Sequence, residues 1–433
     1  MITKEENERL TRVGPETPMG ALLRRYWYPI AASEELQTAW TKRVRLLGED
    51  LVLFRDRSGK FGLIAEACPH RRASLAYGIP EADGIRCPYH GWKFDATGQC
   101  RDMPNEPAGS TFAERTQTTA YPVEELGGLL FAYLGPQPAP QLPRLDGFVV
   151  PGTVRMVGTA LVPCNWLQIM ENSLDPVHTE WLHGHLQEWV EEQRDGIKPS
   201  YAISRHHVNI AFEEFKYGIY KRRLMQGQPE DVDDWRVGHP VMFPCTLAVG
   251  SAGGFWTMYA FQIRVPVDDT HTMHYWYTAY APPAGAHVPA KLLDEVPVFD
   301  VPFRNEAGEF NLDLLDAQDV MAWVTQGPTA KRELEKLGWT DRGVILLRKI
   351  LARELDAVAR GEDPLGVIRD PHEIIELPVE HGKDMFSDGF ASLFRRTQSR
   401  YYRYAKELLE LFGAANPQHQ PSTERIAELI AAD

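Results

Sequence analysis

Two short clips in the first quarter of the chain carry metal-binding side chains at close spacing: Cys68-Pro-His70 and Cys87-Pro-Tyr-His90, with sixteen residues between His70 and Cys87. Two thiolates and two imidazoles can hold one tetrahedral zinc, or a [2Fe–2S] cluster with two Cys on one iron and two His on the other. The spacing and flanks favour the cluster. Both clips share the form Cys-Pro-(Tyr)-His, so the ligands sit at the tips of two similar loops that close over a common core. A zinc finger usually runs from its second pair into a helix, whereas Phe61–Ala65 before the clips and Gly91–Asp95 after them read as strands and turns.

A second group lies in Asn165–His185, where Asp175, His178, His183 and His185 fall within eleven residues. A lone helical histidine is usually a core residue, but three beside an aspartate form a donor set for a divalent metal. On an α-helix Asp175 and His178 share a face, whereas His183, five residues on, stands roughly 140° round from His178. The two imidazoles can meet one ion only if the helix ends or bulges between them. Further on, Asp313, Asp316 and Asp319 lie three apart on one expected helix.

These groups need elements to hold them. Gly14–Pro29 reads as a collar with a short helix carrying Leu22, Leu23, Tyr26 and Trp27. Lys42–Ile64 alternates between two turns, giving three short antiparallel strands beneath the cluster loops, and Tyr121–Val123 and Gly128–Leu134 close the same small β domain. Gly135–Gly147 holds four prolines and places the domain boundary, giving 1–145 and 146–433. Beyond it, a strand at Val154–Leu161 precedes a largely helical Asn165–Leu182 broken at Pro176. Tyr201–Met225 and Thr246–Pro282 are rich in aromatic and β-branched residues and read as long antiparallel strands. Helices are expected at Asn311–Thr325, Asp341–Arg360, Phe390–Gly413 and Ser422–Ala432, which makes the larger part α+β, an antiparallel sheet with helices packed on it.

Composition narrows the class. A chain of 433 residues with 43% hydrophobic and 10% aromatic content fills two cores. No run approaches the ~18 apolar residues needed to span a bilayer, and the charged N-terminus is not signal-like. Beyond the clips, Cys100, Cys164 and Cys245 are scattered, which suits a reducing cytoplasm. A net charge of −14 argues against nucleic acid or an anionic membrane as partner.

The clips and their flanks resemble a Rieske iron–sulfur domain. Followed by D-x-x-H-x-x-x-x-H in a larger domain, they resemble the oxygenase component of the Rieske non-heme iron ring-hydroxylating oxygenases over nearly the whole chain. GPETPMGALLRRYW from Gly14, CPHRRASL from Cys68 and Gly238-His-Pro are similar to the phthalate dioxygenase branch. The resemblance implies an all-β Rieske domain and a helix-grip catalytic domain. Cys68, His70, Cys87 and His90 then hold the cluster, and His178 and His183 hold a mononuclear Fe(II). It also implies a carboxylate from Gln318-Asp319, with Asp316 second. Asp175 would accept the second ring N–H of His178 and bridge to a cluster-bearing histidine of an adjacent subunit, with Asn172 a further supporting group. Glu171 and His185 are read as structural. Partners follow: O₂, a flavin or ferredoxin-type reductase drawing on NAD(P)H, and a homotrimer or stacked trimers.

The leading substrate reading is cis-dihydroxylation of an aromatic carboxylate such as a benzene dicarboxylate or substituted benzoate, with O-demethylation of methoxybenzoates as the alternative. Within an acidic chain, Arg205, Lys216, Lys221, Arg222 and Arg223 cluster between Tyr201 and Met225, and Arg222, Arg223 or Arg205 could hold the carboxylate; a solvated strand face is the competing reading. Phe255, Trp256, Tyr259, Phe261, Tyr275, Trp276 and Tyr277 read mostly as core. Two readings of other classes remain: an electron-transfer protein using the cluster alone, and a zinc-stapled binding protein.

Overall fold

The computed structural model describes residues 2–252, 256–282, 285, 287–381, 407 and 409–411. The expected helix Ser422–Ala432, most of Phe390–Gly413, and Phe255 lie outside them.

A helix at Lys4–Thr11 adds to the collar; Thr3 and Glu6 cap it reciprocally, side chain to backbone, at 3.1 and 2.6 Å. The collar helix is Pro18–Leu23, shorter than expected. Trp27 instead opens a strand, Trp27–Ala32, which contains Pro29 and pairs antiparallel with Leu129–Tyr133. The expected three-strand base is present as Thr41–Leu46, Glu49–Arg55 and Phe61–Ala65, joined by Ala120–Tyr121. A second four-stranded antiparallel sheet, Ile79–Glu81, Gly84–Arg86, Lys93–Phe94 and Cys100–Asp102, presents the Cys87–His90 clip, while the Cys68–His70 clip follows Phe61–Ala65 of the first. Phe54, Ile64, Ile85 and Phe94 are buried beneath them with Cys68 and Cys87.

The larger part is built on one eight-stranded sheet: β1 Val154–Val162, β2 His207–Phe215, β3 Gly218–Met225, β4 His239–Met242, β5 Thr246–Ser251, β6 Thr257–Asp268, β7 His271–Ala281 and β8 Val298–Asp300. The order is β2-β3-β4-β5-β6-β7-β1-β8. Every pairing is antiparallel except that of β8, which joins β1 in parallel at Val157–Thr159. The aromatic content of β6 and β7 supports their long ladder from Thr257↔Ala281 to Asp268↔His271, because such side chains pack well on a pleated surface. Among the described residues of this part, the helices of eight residues or more are α1 Trp166–Ser173, α2 Leu186–Asp195, α3 Leu315–Val324 and α4 Arg342–Ala359. Trp166, Met170, Leu347 and Leu351 share one buried cluster with Ile219 and Val241 of the sheet, and Val320 and Trp323 share another with Trp276.

The proline-rich 135–147 segment contains a short strand, Arg144–Leu145, which pairs in parallel with Ile374–Ile375. The interior is continuous across it: Leu53 and Tyr133 belong to the same buried cluster as Phe261 and Tyr277. No helix among the described residues is long and apolar enough to cross a membrane.

Candidate functional site

The clips form two tight loops. In the first, Cys68 N–H donates to Ala73 O and Arg72 N–H to Cys68 O, both at 2.9 Å; in the second, Cys87 N–H donates to Trp92 O at 2.8 Å and Gly91 N–H to Cys87 O at 3.0 Å. Gly91 has φ +78°, and a Cβ there would lie 2.7 Å from Pro104 Cγ, so the turn requires glycine. The loops sort their donors by depth. Cys68 and Cys87 are buried free thiols, while His70 is exposed and His90 half-buried, their rings 4.5 Å apart. Trp92 stacks on His70 at 4.5 Å and 10°. Burial, with the neighbouring Cys87 thiol, pushes Cys68 up to about 11.

Donors around one tetrahedral ion lie under about 4 Å apart. Among the described residues the clip side chains do not bring three donor atoms within 4.8 Å of one another, whereas a second group does. An inner pair of thiols and an outer pair of imidazoles fit a two-iron core rather than a single zinc.

That second group is His178, His183 and Asp319. Asn165 caps α1, its Oδ1 accepting from Leu167 N at 3.1 Å, and the helix ends at Ser173 before Pro176. The chain then winds as a π-helix, Thr179–His185, in which the Leu186 N–H reaches the Trp181 carbonyl five residues back. Five residues make roughly one π-turn, and that bulge brings together two imidazoles that an α-helix would hold apart. His183 Nε2 lies 3.3 Å and His178 Nε2 3.7 Å from Asp319 Oδ1, and the rings are 5.3 Å apart at 77°.

His178 Nδ1 contacts the main-chain carbonyl of Asp175, and His183 Nδ1 lies 3.0 Å from Gln318 Oε1. Each contact is an acceptor, so each Nδ1 carries the proton and each Nε2 presents a lone pair to Asp319. Asp319 Oδ1 is buried and accepts no hydrogen bond. Three lone-pair donors facing one another in a buried site repel unless a cation lies among them, and two imidazoles with one carboxylate are the donor set of mononuclear non-heme iron. Burial holds His178 down at about 3; His183 is raised because Asp319 and Gln318 outweigh its burial, and Asp319 is lowered because His183, His178 and Arg264 outweigh its own.

The other aspartates separate cleanly. Asp313 is exposed, 3.6 Å from Arg194. Asp316 is buried on α3, and burial with the Asp319 charge raises it to about 7. Asp175 differs from expectation: its carbonyl, not its carboxylate, meets His178, and Oδ1 accepts from Val177 N at 2.9 Å, because the turn before Pro176 folds the side chain back on the chain. Asn172 is half-buried at the end of α1, and its carbonyl accepts from Asp175 N at 3.0 Å. Glu171 is bound by Arg332 and Arg348, and His185 lies 3.5 Å from Glu188. Trp256, Phe261, Tyr275, Trp276 and Tyr277 are core.

The expected carboxylate clamp is corrected. Arg205 is exposed; Arg222 pairs with Glu213 at 2.6 Å; Arg223 is buried between Asp234 (3.3 Å) and Thr179 Oγ1 (2.9 Å). Among the described residues, Lys221 and Arg264 are the buried lysine and arginine side chains left without a carboxylate within 4 Å. Both are buried: burial lowers Lys221 to about 7 and Arg264 to about 9. Lys221 belongs to the basic set of β3, while Arg264 stands alone in an apolar strand with nothing in its sequence context to single it out.

Residues 26–122 match the Rieske [2Fe-2S] domain family and residues 162–357 the vanillate O-demethylase oxygenase C-terminal domain. The chain is 39% identical to the 5,5'-dehydrodivanillate O-demethylase oxygenase subunit of Sphingobium sp., over 100% of this chain and 98% of that protein. It is 34% identical to the phthalate 4,5-dioxygenase oxygenase subunit of Pseudomonas putida, over 84% and 89%. A carbazole-bound oxygenase and ferredoxin complex of carbazole 1,9a-dioxygenase shares the fold, with TM-score 0.56 at 20% identity over 85% of this chain and 97% of that one. With its paired Cys-His clips ahead of a sheet-and-helix domain holding a two-histidine, one-carboxylate group, the chain belongs to the Rieske non-heme iron oxygenases, as an oxygenase subunit.

Proposed function

We propose that the protein is the terminal oxygenase of an O-demethylase acting on a carboxylated aryl methyl ether. The convergence of His178, His183 and Asp319 in the chain that also carries the Cys68, His70, Cys87 and His90 clips carries this reading. On it, the four clip residues hold the cluster and the three convergent side chains hold the iron. When bound, the two centres supply electrons one at a time and activate O₂. The balance is one ether and O₂ with two electrons and two protons, giving a phenol, formaldehyde and water.

The chain's own residues orient and exclude. The π-helix, with His178 at its start, and α3 bring three donors to one point, a set that would leave a bound iron able to take O₂ beside the substrate. Lys221 and Arg264 are the groups for the substrate's carboxylate, since a buried cation without a counter-ion is costly until an anion arrives. Demethylation is preferred over the dihydroxylation first read from the motifs because the relative at 39% identity spans the whole chain, against 84% for the dioxygenase relative. Ring dihydroxylation of a benzene dicarboxylate is the second reading, favoured by that dioxygenase. The electron donor is a ferredoxin-type reductase, and the working assembly is a trimer in which Asp175 faces a neighbouring copy.

Iron and acid-labile sulfide are counted in the purified protein, and methoxybenzoates, methoxylated biphenyl acids and phthalates are supplied with a reductase. Formaldehyde with the matching phenol supports demethylation; cis-dihydrodiols without formaldehyde replace it with the second reading. His178→Ala that turns over normally, or a colourless zinc protein, overturns both.

A further inference from the structure

His183 stands at the inner end of a hydrogen-bonded line whose directions are all determined. Gln318 is fully buried on α3, and its Nε2 donates to the Leu312 carbonyl at 2.6 Å and to Gln187 Oε1 at 2.5 Å. A main-chain carbonyl only accepts, so the amide nitrogen must face Leu312 and the amide oxygen must face His183 Nδ1, 3.0 Å away. Gln187, also fully buried, gives its Nε2 to Glu191 Oε1 at 2.6 Å, and the Tyr201 hydroxyl donates to the other oxygen of Glu191. Every N–H in the line therefore points outward, from His183 through Gln318 and Gln187 to the Glu191 carboxylate. Aligned dipoles ending on an anion strengthen one another in a low-dielectric interior.

We propose that Gln318 is the positioning residue for His183: locked by Leu312 and Gln187, it fixes the Nδ1–H tautomer, aims Nε2 at Asp319, and relays the Glu191 charge to raise the donor strength of that nitrogen. His178 is held differently, by a main-chain carbonyl that no side-chain substitution alters. The site thus has one histidine set by the backbone and one set by a replaceable side chain, and only the second can be tuned. The proposal rests on the reading of His183 as an iron ligand, and iron binding by the parent protein tests that reading separately.

The test strips mononuclear iron from the full-length, cluster-bearing protein with a chelator and titrates Fe(II) back, reading the dissociation constant and the EPR signature of the nitric oxide complex of the refilled site. Gln318→Leu removes the acceptor and is expected to weaken Fe(II) binding about 10- to 100-fold, the usual range for a lost partner behind a metal-bound histidine, and to change the EPR signature while the cluster absorption persists. Gln318→Glu keeps an oxygen toward His183 but sets its second oxygen against the Leu312 carbonyl and Gln187 Oε1, which the amide N–H had served, and is expected to restore part of that loss. Gln187→Leu removes one of the two bonds that orient the amide and is expected to fall between parent and Gln318→Leu. Unchanged Fe(II) affinity in folded Gln318→Leu overturns the proposal, as does equal loss in Gln318→Leu and Gln318→Glu, which would mark packing as the cause. Should Gln318→Leu not fold, unchanged affinity in Gln187→Leu overturns it.

Discussion

Arg223 Nη1 lies 2.9 Å from Thr179 Oγ1, and Thr179 directly follows His178, so strand β3 grips the π-helix beside its first imidazole. The same guanidinium faces Asp234 at 3.3 Å, and both side chains are buried. Arg223→Met breaks a buried ion pair and is expected to cost about 3–5 kcal/mol, read as a lowered Tm. The folded fraction should keep its cluster absorption and lose mononuclear iron more readily on dialysis. Iron retention equal to the parent's would remove the grip from the account.

Lys221 gives a prediction that separates substrate binding from folding. Lys221→Met should raise KM for the carboxylated substrate by roughly 10- to 150-fold, the equivalent of a charge-assisted bond of about 1.5–3 kcal/mol, and leave the methyl ester of the same substrate almost unaffected. Burial, with Arg223 nearby, lowers the ammonium to about 7. The sign follows: below about 7 the free protein already holds the proton, while above it a bound carboxylate must recruit one, so kcat/KM should fall as pH rises through 7. A steady-state series from acid to alkaline pH on parent and variant checks this, since Lys221→Met should flatten that limb.

The contrast between the two metal groups explains how far the sequence could be read. The clips are local: a few residues and a glycine turn place each pair, and their spacing is visible in one line of sequence. The three-strand base, the long β6–β7 ladder and helices α3 and α4 were legible for the same reason, through alternation or helical periodicity. His178 and His183 depend on a π-bulge, whose extra residue leaves the hydrophobic pattern unchanged, so their meeting was open until the backbone was seen. Asp319 is brought in from 136 residues beyond His183, and only family resemblance chose it among three aspartates on one helix. The arginine clamp failed for a related reason. Basic residues on a strand announce charge but not partners, and Glu213 and Asp234 had already taken Arg222 and Arg223.

Gly91 makes the cluster loops testable apart from the iron group. Gly91→Ala places a methyl 2.7 Å from Pro104 Cγ at φ +78°, adding strain of about 1–2 kcal/mol to the turn that carries His90. The variant should purify with less sulfide and weaker cluster colour per chain, and with unchanged Fe(II) affinity at the second group. A full complement of sulfide would mean that the loop relaxes around the added carbon.

Glu171 links helix α1 to the N-terminal helix and to α4. Its carboxylate takes bonds from Arg332 at 2.7 and 3.0 Å and from Arg348 at 2.7 Å, and Arg332 continues to Asn7 at 3.0 Å. Burial alone would raise its pKa, but the two arginines overcome this and hold it below the ordinary glutamate value. A depressed carboxylate contributes stability above its unfolded pKa of about 4.3 and loses it as pH falls through the lower folded value. Glu171→Gln leaves the buried Arg332 without its anion and Arg348 with Glu335 alone, and should cost about 3–5 kcal/mol at neutral pH. Because the parent carboxyl takes up a proton in acid and the variant's amide does not, the gap in Tm should narrow steadily below about pH 4. Thermal melts of both proteins across that interval decide it: a gap that stays constant into acid would show that Glu171 acts through packing rather than through charge.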